Sequence, residues 1–175
     1  VVLDYVAGSV RQAGIDVGLL DLALVEEPAE AIKGHFCSHQ AELVGISFRN
    51  VDDCFWPSAD WFVPELKRTI EAVKSLTDAP IVLGGVGFSI FGGAILEYTG
   101  ADFGIRGDGE TAVISLIHQL RGAREFTEVP GLLWRRGGEI SSNAPAWPNP
   151  ISLPTGRDSV DNPAYFRRGG QCGLE

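Results

Sequence analysis

The fold of this chain follows from one stretch, Ala79-Pro-Ile-Val-Leu-Gly-Gly-Val-Gly-Phe-Ser-Ile-Phe-Gly-Gly-Ala-Ile-Leu96. Its apolar run ends at Leu83 and is typical of a buried strand, and its second half has the apolar content of a helix. Between them lie Gly84, Gly85 and Gly87, which lack side chains and leave backbone N–H groups accessible. Open α/β sheets build ligand sites in this way, at the carboxyl ends of their strands. We therefore predict that a large planar or phosphorylated ligand binds here.

Alternating strand and helix patterns continue on both sides of this stretch. Apolar runs predict strands over 16–20, 43–47, 81–83 and 102–105, and helical periodicity predicts helices over 2–13, 29–40, 58–76, 90–98 and 110–120. Short links between such elements favour an α/β fold with a doubly wound parallel sheet. Sheets of this kind usually begin with a strand, whereas this chain begins within a helix. The sequence leaves open whether a first strand is missing.

The end of the chain has a different composition. Residues 132–141 predict a small hairpin that turns at Gly137-Gly138 and caps one edge of the sheet. From Ser142 onward, prolines together with Asn, Asp and Gly residues interrupt any helical or strand period, as in an extended linker. We therefore assign residues 1–142 to one α/β domain and residues 143–175 to a linker.

Composition excludes several classes of partner. The chain has 175 residues, 45% of them hydrophobic, and a formal net charge of −9, so it lacks the clustered basic residues that nucleic-acid binding needs. The uncharged window 79–96 is long enough to cross a membrane, but Pro80 and the glycines favour a strand, a loop and a helix. Three cysteines without a C-x-x-C pair or a secretory leader favour a cytoplasmic location. We expect neither a nucleic-acid nor a membrane partner.

Three loops follow consecutive predicted strands, over 47–56, 84–89 and 106–110. Because parallel strands share an edge at their carboxyl ends, we expect these loops to converge on one ligand site. In the first loop, donors to an anionic or amide-bearing ligand come from Ser47, Arg49 and Asn50.

The third loop, Arg106-Gly-Asp-Gly-Glu110, has two interpretations. Gly107 and Gly109 suit sharp backbone turns, and the charge of Glu110 at a helix start favours the helix dipole. Asp108 and Glu110 either contact a ligand or only cap the helix that follows.

Motifs for other ligands are incomplete. The stretch Gly85-Val-Gly-Phe-Ser-Ile90 lacks the third glycine of G-x-G-x-x-G, and no Walker lysine follows. A nucleotide site that uses Asp21 on a ribose is therefore a weak alternative. His35 and His39 have a metal-chelating spacing without a third ligand nearby, which favours structural histidines over a zinc site.

Aromatic residues at 55–61 carry another alternative. Phe55, Trp56 and Trp61 would form an exposed patch if the domain were a non-enzymatic sensor or partner-docking module. Because aromatic side chains are often buried, we expect them instead to pack in the core beneath the loop.

Four segments together resemble the amino-terminal cobalamin-binding domain of B12-dependent radical SAM proteins. They are Leu43-Val-Gly-Ile-Ser-Phe-Arg-Asn, Gly84-Gly-Val-Gly-Phe-Ser, Ala101-Asp-Phe-Gly-Ile-Arg-Gly-Asp-Gly-Glu-Thr and Tyr165-Phe-Arg-Arg-Gly-Gly-Gln. The resemblance covers most of the chain. It implies a flavodoxin-like domain, similar to a Rossmann fold, that holds cobalamin at the carboxyl ends of its strands.

The resemblance also implies where the cofactor lies. The dimethylbenzimidazole tail would lie along the sheet edge near Ser47 and Gly84-Gly85, and the corrin would lie over the three loops. The D-x-H-x-x-G signature of a histidine-ligated cobalt is absent from these residues, which favours cobalt without a histidine ligand. The implied cofactor-binding residues are Ser47, Phe48, Arg49, Asn50, Gly84, Gly85, Val86, Gly87, Phe88, Ser89, Gly107, Asp108, Gly109 and Glu110.

In this family the domain is followed by a radical SAM barrel in the same polypeptide. The barrel binds S-adenosylmethionine and a [4Fe–4S] cluster through C-x-x-x-C-x-x-C, a motif that these residues do not contain. The resemblance therefore implies a methyl carrier or radical helper that has no catalytic residue or metal ligand of its own.

Overall fold

The computed structural model describes residues 2–146 and 160–168, which form one mixed sheet flanked by helices. The strands are β1 (Val44–Ser47), β2 (Ile81–Gly84), β3 (Phe103–Ile105), β4 (Leu132–Arg136) and β5 (Glu139–Ser142), in that order across the sheet. Strands β1, β2 and β3 are parallel, whereas β4 and β5 form an antiparallel hairpin beside β3. The predicted α/β fold with a parallel sheet and a small hairpin is confirmed.

Helices cover both faces of the sheet. The described helices are α1 (Val2–Gln12), α2 (Pro28–Ser38), α3 (Val63–Lys74), α4 (Val86–Thr99), α5 (Gly109–Arg121) and α6 (Asn162–Arg167). Helix α4 packs on β2 and β3, with α3 beside it and α2 beside α3, whereas α5 packs on β3 and α1 packs on α5. Ile81 and Leu83 join the first hydrophobic cluster and Val82 joins the second, as the alternation of a strand requires. The sheet is therefore doubly wound.

A glycine in β3 sets how closely α4 approaches the sheet. Phe88 in α4 is fully buried, and its ring occupies the space above Gly104. A Cβ added at Gly104 would lie 2.0 Å from Cζ of Phe88. The absent side chain of Gly104 therefore makes room for the largest fully buried residue of the core.

One predicted strand is wrong. Residues 16–20 form no strand, because a strand needs a neighbour to bond its backbone and no described strand pairs with the outer edge of β1. Leu20 and Leu22 instead pack against the first hydrophobic cluster. A short 3-10 turn, Leu22–Leu24, follows, and the Asp21 side chain caps it by accepting a 3.1 Å hydrogen bond from the Ala23 N–H.

Two predicted helices begin elsewhere. Helix α3 begins at Val63 instead of residue 58, because Ser58 belongs to the preceding loop and donates to the Asp53 carboxylate. Helix α4 begins at Val86, directly after Gly85, instead of at residue 90. The first turn of α4 therefore includes residues that the sequence places in a glycine loop.

The predicted extended tail contains a short helix. Within residues 160–168, α6 begins after Asp161, whose side chain accepts a 2.9 Å hydrogen bond from the Ala164 N–H, and Pro163 lies in its first turn. Most of the predicted linker lies outside the described residues, so the boundary at residue 142 stays a prediction. In the described part of the chain, no helix combines the length and apolar character that crossing a bilayer requires.

Candidate functional site

The three predicted loops converge at one edge of the sheet. Ser47 at the end of β1 is in register with Gly84 at the end of β2, and the Phe48 N–H donates to the Gly84 carbonyl at 2.8 Å. The Phe88 N–H donates back to the Phe48 carbonyl at 3.3 Å, which joins the first loop to the start of α4. The third loop joins them where the Gly107 N–H donates to Ser89 Oγ at 3.3 Å. The predicted convergence is therefore confirmed.

Gly85 and Gly87 permit the first loop to approach α4. Gly85 has a φ of 96°, a value that favours glycine, and a Cβ there would lie 2.6 Å from the Phe48 carbonyl oxygen. A Cβ at Gly87 would lie 2.8 Å from the Arg49 carbonyl oxygen. Backbone from the first loop thus fills the space that side chains would take at both positions. These glycines shape the site by packing main chain against main chain.

Gly84 differs from its neighbours because nothing lies within 4 Å of an added Cβ. Its backbone has an ordinary φ, so its conformation does not require glycine. Open space at the end of β2 is the feature that a ligand lying on the sheet edge needs. Among Gly84, Gly85 and Gly87, only Gly84 leaves open space where a side chain would be.

Ser89 links two of the loops. Its hydroxyl donates to the Gly85 carbonyl at 3.0 Å and accepts from the Gly107 N–H at 3.3 Å. The hydroxyl proton is thereby used within the protein. Ser89 consequently has the geometry of a strut between the second and third loops.

The third loop rests on a glycine that the sequence analysis did not identify. The Arg106 N–H donates to the Gly131 carbonyl at 2.9 Å, and Gly131 has a φ of 64° with the Arg106 carbonyl oxygen 2.2 Å from the position of a Cβ. Gly107 follows with a φ of 93°. Gly131 lies immediately before β4, so sequence separation concealed its role, and only the antiparallel pairing of β4 with β3 brings it here.

The acidic residues of the third loop do not act as a side-chain cap. Asp108 is the N-cap of α5, but its side chain makes no capping hydrogen bond and is exposed. Glu110 lies in the first turn of α5 and is partly exposed. Gly109 packs toward α1, since its Cβ position lies 3.5 Å from Cγ2 of Val6. Asp108 therefore occupies the N-cap position without a capping hydrogen bond from its side chain, and its carboxylate is accessible at the edge.

The implied cofactor-binding residues divide by exposure. Ser47, Arg49, Asn50 and Val86 present exposed side chains. Phe88 is 0% exposed and points into the core, and Phe48 is buried at 8%. At these two positions only the backbone lies at the edge.

An apolar surface adjoins the edge along α4. Val86 and Ile90 are 64% and 62% exposed, and Phe91 and Tyr98 continue the surface. With Trp61, the last two residues line an apolar groove of about 280 Å³. Ile90 was missed by the sequence analysis, although its spacing of four from Val86 places both on one side of a helix.

The aromatic residues at 55–61 are exposed, contrary to the expectation that they pack in the core. Phe55, Trp56 and Trp61 are 61%, 93% and 55% exposed. The loop is instead held by polar contacts, including a 3.0 Å hydrogen bond from the Cys54 N–H to the Asp52 carboxylate. Hydrophobicity alone did not distinguish an apolar surface from the core.

The other candidate residues lie elsewhere. The rings of His35 and His39 stack with centroids 4.5 Å apart, and burial, followed by the charge of His39, lowers the pKa of His35. Within residues 2–146 and 160–168, no three His, Cys, Asp or Glu side chains are grouped as metal ligands. The Asp21 carboxylate accepts a hydrogen bond from Tyr165 as well as from the Ala23 N–H.

Comparison with known protein families assigns this architecture. The sequence model of the B12 binding domain matches residues 1–117. The chain belongs to the B12-binding domain family. It is also 32% identical over 156 residues to a tryptophan 2-C-methyltransferase of Streptomyces laurentii, covering 87% of this chain and 26% of that protein. The chain therefore spans about a quarter of the length of that methyltransferase.

Solved structures agree with this assignment. Two are of TsrM from Kitasatospora setae, a radical S-adenosylmethionine methyltransferase. One, with tryptophan and a SAM analogue bound, is 30% identical to this chain and superposes with a TM-score of 0.86. The match covers 97% of this chain and 34% of TsrM. The other, with cobalamin and a [4Fe–4S] cluster bound, is 27% identical with a TM-score of 0.82, over 97% and 35% of the two chains. The predicted membership in a cobalamin-binding family is confirmed, and the sensor and nucleotide-binding alternatives are not favoured.

Proposed function

We propose that this B12-binding domain holds cobalamin at the carboxyl ends of β1, β2 and β3 for a radical SAM methyltransferase. One observation carries the proposal: three backbone-bonded loops meet at this edge and leave open space at Gly84. The similarity to TsrM, over about a third of that chain, supports the methyltransferase context.

The residues at the edge fit such a cofactor. Cobalamin presents amide side chains, a phosphodiester and flat apolar surface. The exposed side chains of Ser47, Arg49 and Asn50 supply donors for the polar groups, and Val86 and Ile90 supply apolar contact. The open space at Gly84 would receive the dimethylbenzimidazole tail, and Gly107 and Asp108 would border the corrin.

The chemistry belongs to the bound cofactor, because cobalamin supplies a cobalt centre that can carry a methyl group. The chain's own residues bind and orient. Ser89 keeps the second and third loops at a fixed separation, and Phe48 joins the first loop to the second. A radical SAM domain of the same polypeptide, with its [4Fe–4S] cluster and S-adenosylmethionine, would be the catalytic partner, and a cytoplasmic location would suit that cluster.

Binding of hydroxocobalamin to the purified chain tests the proposal. We expect the cofactor to co-elute with the protein on gel filtration and its visible absorption bands to shift on binding. Colourless protein after gel filtration, with unchanged bands in the mixture, would refute cobalamin binding.

A substitution at the open position tests the placement. A Cβ at Gly84 meets nothing within 4 Å, so Gly84→Leu places its side chain in the open space at the end of β2. We expect it to weaken cobalamin binding at least tenfold while the unfolding temperature changes little. Gly34→Leu is the matched control, because nothing lies within 4 Å of its Cβ position and it is in α2. Equal cobalamin affinity for the Gly84→Leu and Gly34→Leu variants would place the tail elsewhere.

A further inference from the structure

A polar contact attaches the last described helix, α6, to the domain. The Tyr165 hydroxyl lies 2.9 Å from Oδ1 and 2.8 Å from Oδ2 of Asp21, so it donates to the carboxylate across 144 positions of sequence. Both residues are partly buried. A hydrogen bond to an ionised acceptor is among the stronger ones available to a neutral donor. The contact therefore holds α6 against a distant part of the chain.

A second contact lies directly after the end of α6. The Arg168 guanidinium donates to the carbonyls of Ala23 and Leu24 at 3.4 Å and 3.3 Å. Both carbonyls belong to the 3-10 turn that Asp21 caps. The Tyr165 side chain in α6 and the Arg168 side chain directly after α6 thus contact one turn and its capping residue, which fixes the direction of the helix as well as its location.

The 3-10 turn is connected to the predicted cofactor edge. Leu20 and Leu22 pack against the hydrophobic cluster that contains Phe48, and Phe48 is bonded to β2 and α4 through its backbone. The first loop and the anchor of α6 therefore share one packed core. Because α6 is held by this turn, its position is coupled to that of the predicted cofactor edge.

We infer that Tyr165 is a positioning residue that fixes α6, and with it the direction of the chain at Arg168, against the cobalamin-binding domain. This inference rests on the proposed function, in which a catalytic domain of the same polypeptide must reach the cofactor. Asp21 is its acceptor and Arg168 fixes the helix direction. The Phe166 side chain, 64% exposed, is not needed for the anchor.

Hydrogen exchange on the 175-residue chain tests the anchor. We expect Tyr165→Phe to speed amide exchange of residues 164–168 about tenfold, since it removes a charge-assisted hydrogen bond. Asp21→Asn should speed it less, because the amide oxygen still accepts from the Tyr165 hydroxyl and only the charge is lost. Exchange in β1, β2 and β3 should stay as in the wild type. Phe166→Ala is the matched control and should leave exchange of α6 unchanged. Wild-type exchange of α6 in Tyr165→Phe, or an equal increase in the control, would overturn the inference.

A distance measurement separates positioning from mere local stability. Spin labels at Arg167→Cys and His118→Cys, in a chain whose native cysteines are replaced by serine, report the placement of α6 relative to α5. We expect one narrow distance distribution that becomes broad in Tyr165→Phe, and an equally narrow distribution in both would overturn the inference. Cobalamin absorption recorded on the same samples tests the proposed function separately, because the spin-label distances can be measured whether or not cobalamin binds.

Discussion

The two ends of the parallel strands are finished by different means. At the amino end, the Asp102 carboxylate accepts from the Ile81 N–H at 2.9 Å, and Lys74 Nζ lies 3.6 Å from the same carboxylate and donates to the Gly100 carbonyl at 2.7 Å. At the carboxyl end, main chain bonds to main chain at Phe48 and Gly84. Side chains close the first end, whereas the second, apart from the Ser89 hydroxyl, is joined through backbone and leaves open space at Gly84. Substitutions should therefore act through different causes at the two ends.

The largest effect is expected from Gly85→Ala, at the carboxyl end. Its Cβ would meet the Phe48 carbonyl oxygen at 2.6 Å, and its φ of 96° strains any other residue, so we expect a loss of about 3 kcal/mol in the free energy of unfolding. Gly100→Ala has a φ of 72° with nothing within 4 Å, so strain alone should cost about 1 kcal/mol. Urea unfolding measures both. Equal losses would show that close backbone approach is not what Gly85 provides.

The amino end should respond to loss of a carboxylate. Asp102→Ala removes the acceptor for the Ile81 N–H and the partner of Lys74, so we expect a loss of about 2 kcal/mol in the free energy of unfolding. Asp102→Asn keeps an acceptor and loses only a half-exposed ion pair, for which about 0.5 kcal/mol is expected. Cobalamin affinity should be unchanged in both variants. A binding defect in Asp102→Ala would contradict the independence of the two ends.

Ser89→Ala should combine a smaller stability effect with a binding effect. Loss of its hydrogen bonds to Gly85 and Gly107 should cost about 1 kcal/mol and, on the proposed function, weaken cobalamin binding about fivefold because two loops separate. Ser75→Ala is the control, since Ser75 donates to the Ala72 carbonyl at 2.7 Å at the end of α3. Thermal unfolding and absorbance titration compare the two. Equal cobalamin affinity of the Ser89→Ala and Ser75→Ala variants would show that Ser89 does not hold the two loops in place for binding.

The smallest effect is expected at α6. Side chains attach this helix to the domain, just as side chains close the amino end of the strands. Burial, followed by the hydrogen bond to Asp21, raises the pKa of Tyr165 from 10.0 to about 12. Only the neutral phenol donates, so the attachment is complete below pH 10 and is lost as the pH rises through about 12. Phenolate absorbance should show a late ionisation in the wild type that is absent in Tyr165→Phe. No difference between these titrations would contradict the contact.

Local pattern predicted most elements of this fold. Strands β1, β2 and β3 are short apolar runs and α2 and α5 begin within one residue of their predicted starts, because burial and periodicity are encoded locally. The strand over 16–20 failed because pairing depends on a neighbour, which no local pattern reports. The helix α6 was missed although Asp161 and Pro163 are ordinary helix-start signals, since its six residues are too few for periodicity.

The candidate site was predicted in outline and not in detail. Topology alone indicates that loops after parallel strands meet, and they do. The distinct roles of Gly84 and Gly85 depend on where Phe48 lies, which is a tertiary fact. Exposure of Trp56 likewise depends on what covers the loop. Which of the fourteen implied residues touch cobalamin stays a prediction that the Gly84 and Ser89 variants address.

The packing of the Phe88 ring above Gly104 has a consequence for ligand binding. The Phe88 ring packs between its own helix, α4, and strand β3. The N–H of the same residue donates to the Phe48 carbonyl. The backbone at the edge of the site is therefore held in place by the rigid core beneath it. Little conformational entropy remains to be lost there when a guest arrives, so affinity depends on complementary shape more than on folding around the guest.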